Sequence, residues 1–68
     1  MKTKATPEQK AQLAATLASN LVKKMGGNRV AQDAAALYAK ESVLDHYTGA
    51  TAVENGYRVG MGLKLLIN

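Results

Sequence analysis

Asp45-His46 is the one place in this chain where acid–base chemistry could begin. A catalytic base needs an orienting carboxylate and a nucleophile in reach, and neighbours on a helix point about 100° apart. Ser42 stands one turn before His46 without an oxyanion loop, and the chain has no Cys. Thiol catalysis, zinc–thiolate sites and disulfide frameworks are thereby excluded. A histidine near a helix C-terminus has an ordinary role, since its charged form suits the negative end of the dipole. No residue is assigned a catalytic role.

Glu41 and Asp45 stand four apart, so a helix carries both carboxylates on one face. A divalent cation needs more oxygen ligands than two, or more nitrogen ligands than the single His of this chain, so no metal is assigned. Two like charges near the negative end of a helix cost a few tenths of a kcal/mol, roughly. The basic side of the first helix is the natural counterweight, which makes the acid pair a docking surface within the chain or between chains. Gly60-Met61-Gly62 is no phosphate loop, because neither the dinucleotide fingerprint nor the P-loop spacing is present. No cofactor motif and no small-molecule substrate site is found.

Nine Lys and Arg against five Asp and Glu leave the 68-residue chain at +4. The excess is uneven. Residues 1–30 hold Lys2, Lys4, Lys10, Lys23, Lys24 and Arg29 against Glu8, a local +5. Residues 31–68 hold Lys40, Arg58 and Lys64 against Asp33, Glu41, Asp45 and Glu54, a local −1. Lys10, Lys23, Lys24 and Arg29 are candidate phosphate-binding residues, with the Lys2/Lys4 arm beside them. Lys10 and Lys24 fall within about 40° of each other around a helix.

The elements that must carry these groups follow from local signals. Thr6-Pro7-Glu8-Gln9 fits a capping box with Pro at the first helical position. Behind it Leu13, Leu17, Leu21 and Met25 recur every fourth residue beside Ala14, Ala18 and Val22, predicting an amphipathic helix over 6–25. Gly26-Gly27 stops it. Asn28 then caps a second helix over 28–47, with Val30, Ala34, Leu37 and Leu44 on one face, broadened by Ala31, Ala35 and Tyr38. Thr48-Gly49 ends it. So short a connection predicts an antiparallel helical hairpin, the many alanines at its facing positions allowing close approach but a thin core.

From Tyr57 the period changes to two. Tyr57, Val59, Met61, Leu63, Leu65 and Ile67 alternate with Arg58, Gly60, Gly62, Lys64, Leu66 and Asn68. Asn55-Gly56 before them is a strong hairpin-turn signal that would pair Ala52 with Val59 and Ala50 with Met61. The expected fold is therefore α+β: one small domain with a basic arm at 1–5, the two-helix hairpin and a β-hairpin at 50–67, completed by oligomerisation. Alternatively Ala50–Glu54 forms a short third helix capped by Asn55-Gly56, and the chain is all-α with a loose tail.

Val53-Glu54-Asn55-Gly56-Tyr57-Arg58, with Leu65-Leu66, resembles the end of the recognition helix in Cro/repressor-type helix-turn-helix domains. The likeness spans residues 53–66 only. Leu44 stands where that pattern has its turn glycine, and 48–53 contain no Lys, Arg, Gln or Asn to meet base edges. Gly27-Asn28-Arg29 before an Ala-rich stretch is similarly like Fis-type DNA-binding helices, again without the turn glycine. Neither carries a family assignment.

The longest apolar run, Ala34 to Ala39, is six residues, far short of a span. Met1-Lys2-Thr3-Lys4 is followed by no apolar core, no lipidation motif is present, and the first helix lacks aromatic anchors, so no membrane partner is expected. The expected role is a non-catalytic assembly module, self-associating or docking on a larger partner. Its interface would be the alternating face Tyr57, Val59, Met61, Leu63, Leu65 and Ile67, whose unpaired edges would need a cover. Small virion, plasmid or prophage accessory proteins, working in the cytoplasm or in a particle assembled there, have this style. The alternative is a small basic DNA-binding regulator, whose affinity would fall steeply with salt.

Overall fold

In a computed structural model of the chain, which describes residues 6–45 and 48–65, three helices pack together: α1 (Pro7–Lys24), α2 (Arg29–Leu44) and α3 (Gly49–Met61). The basic arm at 1–5, together with His46, Tyr47, Leu66, Ile67 and Asn68, lies outside the described residues. Each helix end has a local cause. Thr6 N–H donates to Gln9 Oε1 at 2.9 Å while Gln9 N–H donates to Thr6 Oγ1 at 3.1 Å, a complete capping box. Gly26, at φ +88°, takes the left-handed conformation that closes α1. Gly27 N–H then reaches Val22 O at 2.8 Å and Gly26 N–H reaches Lys23 O at 3.0 Å, the Schellman pattern. Two residues on, Asn28 Oδ1 accepts from Ala31 N–H at 2.9 Å and opens α2.

The expected β-hairpin over 50–67 is not formed; among the described residues there is no strand, and the architecture is all-α. Thr48, expected to end the second helix, is the N-cap of the third, its Oγ1 accepting from Thr51 N–H at 3.3 Å. The short third helix of the alternative also ends too soon. Asn55 and Gly56 are neither turn nor cap but are buried in mid-helix, and α3 continues to Gly62 at φ +72°. There Leu63 N–H reaches Arg58 O at 2.7 Å and Gly62 N–H reaches Val59 O at 3.2 Å, repeating the Schellman closure.

The cause of this correction is a second period in the same residues. Ala52, Gly56 and Gly60 recur every fourth position and share one helix face. A Cβ on Gly56 would come within 2.7 Å of Ala35 O, 2.8 Å of Ala39 Cβ and 3.0 Å of Ala18 Cβ. One on Gly60 would meet Val22 Cγ2 at 2.7 Å and Ala31 O at 2.8 Å. The backbone of α3 thus lies directly against α2 and α1. Each helical glycine costs about 1 kcal/mol relative to alanine, and this contact offsets the cost.

The same logic builds the core, which is made of alanines as the facing positions suggest. The buried residues are Ala11, Ala14, Ala15, Ala18 and Val22 of α1 and Ala35, Ala39 and Ser42 of α2, and Val22 is the largest side chain fully buried. The leucine stripe of α1 is exposed: Leu13 by 60%, Leu17 by 45% and Leu21 by 38%, with Met25 at 60%. On α2, Val30, Leu37 and Leu44 are 77%, 58% and 43% exposed. Alanine faces let helix axes approach closely, and that approach seals off more backbone and Cβ surface than a leucine seam held farther apart. The body is flat, 40 × 26 × 14 Å, so little of it is interior.

Candidate functional site

The residues expected to form one apolar interface do not share a face. Tyr57 and Met61 pack against the core from α3, and Val59 between them is half-buried. Alternate residues on a helix lie about 200° apart, so the row that a strand would have aligned is divided around the helix. Leu63 follows Gly62 and is exposed, Leu65 is half-buried, and Ile67 lies outside the described residues. The C-terminal segment is tied back by Arg58, whose Nη1 donates to Lys64 O at 3.1 Å while its Nε pairs with Glu54 Oε2 at 2.8 Å. The sequence reading missed this link, although Glu54 and Arg58 carry the spacing of a helical ion pair.

The basic residues are spread out. Lys10 lies near the start of α1, and Lys23 and Lys24 are in its last turn, about 20 Å away at 1.5 Å per residue. Arg29 belongs to the first turn of α2 and pairs with Asp33, Nε to Oδ1 at 3.2 Å, fully at the surface. Lys10, Lys23 and Lys24 are exposed and make no ion pair among the described residues. The segment resembling a recognition helix turns Asn55 and Gly56 inward, where neither can meet a ligand.

Glu41 and Asp45 are exposed on the last turn and cap of α2. Neither is paired with α1 within the chain, so the expected internal counterweight is not made among the described residues. Ser42 beside them is buried in the helix contact, 8% exposed, which removes it as a nucleophile candidate. No group of three or more His, Asp or Glu that could hold a metal occurs among the described residues. Among them, too, every buried side-chain polar atom has a hydrogen-bond partner, so no inward-facing group waits for a ligand.

What the fold does present is apolar surface. A groove of about 440 Å³ runs along α1, bounded by Lys10, Leu13 and Leu17, with Val43 of α2 and Thr48 and Val53 at the start of α3 on its other side. Beyond the groove the α1 strip continues through Leu21 toward Lys24, and α2 carries Val30, Leu37 and Leu44. The signal that could have found these faces was in the sequence: small residues at every fourth position in all three helices, so that the large ones are left over. No helix among the described residues is long and apolar enough to cross a membrane. In comparisons with known proteins, no family model, no curated protein and no solved structure matches the chain.

Proposed function

We propose that this chain is a non-catalytic assembly module that associates with itself or docks on a larger protein, in the cytoplasm or in a particle assembled there. One observation carries this: its leucines are displayed on two helices while alanines and glycines fill the interior. Apolar surface of this extent, rimmed by charge, is characteristic of interaction sites. Small chains also bury too little of their own surface to be strongly stable alone. The binding surface proposed is thus the outer strips of α1 and α2, in place of the alternating face first expected at the C-terminus.

The test is the solution mass by light scattering at low and high salt, for the native chain and for Leu17→Glu. A defined oligomer that persists at high salt and is lost in the variant supports the module. A native chain that is monomeric at both salts ends the self-association arm and leaves docking on a larger protein to be tested. The alternative regulator rests on the exposed Lys10, Lys23 and Lys24; a DNA affinity falling steeply with salt would favour it.

A further inference from the structure

The two apolar strips differ in charge and match in spacing. On α1, Lys10, Leu17 and Lys24 are seven residues apart, with Leu13 and Leu21 between them. On α2, Val30, Leu37 and Leu44 repeat the same interval, flanked by Asp33, Glu41 and Asp45. Each set drifts by about 20° per seven residues, so each forms a continuous strip some 21 Å long. Since α1 and α2 already pack on each other through their alanines, these strips can meet only between chains.

Building on the self-association arm of the proposed function, we infer that copies assemble head-to-tail, the α1 strip of one seating antiparallel on the α2 strip of the next. With Leu17 opposite Leu37, helical geometry puts Leu13 beside the next copy's Leu44 and Leu21 beside its Val30. It puts Lys10 on the same side as Glu41 and Asp45, and Lys24 on the side of Asp33. Lys40 falls beside Leu13, and Arg29 stays on Asp33, so the strongest charge complement is Lys10 with the Glu41/Asp45 pair. Self-pairing of α1 is disfavoured, because two α1 strips bring lysine to lysine in either direction. Two antiparallel α2 strips set Asp33 beside the next copy's Lys40 but leave Glu41, Asp45 and Lys10 without a counter-charge. Each copy uses one face of each kind, so the contact is heterologous and builds a ring or a filament. The free carboxylates of α2 find here the counterweight that the chain itself withholds.

Charge reversal tests this without touching the core, since Lys10, Glu41 and Asp45 are all exposed. Lys10→Glu and the double variant Glu41→Lys/Asp45→Lys are each expected to weaken association about tenfold or more, read by light scattering against concentration. An equimolar mixture of the two, or all three substitutions in one chain, restores it, because acid and base again face each other. Circular dichroism confirms that each variant keeps its helix content, and Leu37→Asp gives an independent loss from the apolar side. An oligomer that ignores both reversals, or a mixture no better than its components, overturns the head-to-tail contact and leaves self-association standing. A native chain monomeric at all concentrations overturns both. Adsorption of that monomer to phosphatidylglycerol vesicles, abolished by Leu17→Glu, would assign the α1 strip to a lipid surface instead.

Discussion

The seam between the helices and the outer faces of α1 and α2 are built from opposite materials. The seam holds Ala18, Val22, Ala35, Ala39, Ala52 and Gly56, and the outside holds Leu13, Leu17, Leu37 and Leu44. A seam of small residues gains its stability from the closeness of backbones, so it is intolerant of added atoms and insensitive to charge. An outer strip of leucines gains nothing until a partner arrives. The two regions therefore answer to different measurements: folding reads the seam, and association reads the strips.

The comparison is broken most severely at Gly56. Gly56→Leu forces a side chain into the space held by Ala35, Ala39 and Ala18, and a loss of about 3 kcal/mol or more is expected. In a chain of this size that is a large share of the total stability, so thermal denaturation should show no cooperative transition or a strongly lowered midpoint. Val22→Ala, which empties the largest fully buried site, should cost about 2 kcal/mol in a urea titration. Thr6→Ala removes one arm of the capping box and should cost about 1 kcal/mol, seen as fraying of the first turn in amide exchange. Leu17→Gln sharpens the contrast at the small end. Its effect on the stability of the dilute monomer should stay within about 0.5 kcal/mol, while association at high concentration falls. A large folding loss there would mean that Leu17 belongs to the seam after all.

Local chemistry was legible and global choice was not. The Thr6–Gln9 box, the Gly26-Gly27 stop and the Asn28 cap are each written within four residues, and each stands in the structure where it was read. The alanines read at the facing positions of α1 and α2 are the ones that lie in the seam, and the leucines beside them, read only as one side of an amphipathic helix, lie outside it. At the C-terminus, Asn55-Gly56 and the alternation from Tyr57 form a valid hairpin signal. That signal lost to the fourfold spacing of Ala52, Gly56 and Gly60, which acquires value only against a complementary surface. The mismatch between Leu strips and interior, once seen, is also what exposed the candidate interface.

By itself, the sequence determined where the first two helices begin and turn, the absence of thiol chemistry, and the division between a basic first half and a slightly acidic second. Capping and turn preferences act between near neighbours, and charge is a sum over residues, so neither needs the fold to be known. The tertiary structure alone decided that Gly49–Met61 is one continuous helix with Asn55 and Gly56 buried inside it, and how fully the leucines of α1 and α2 are left outside. Those outcomes depend on how near two backbones can come, a property of pairs of surfaces that no single segment contains.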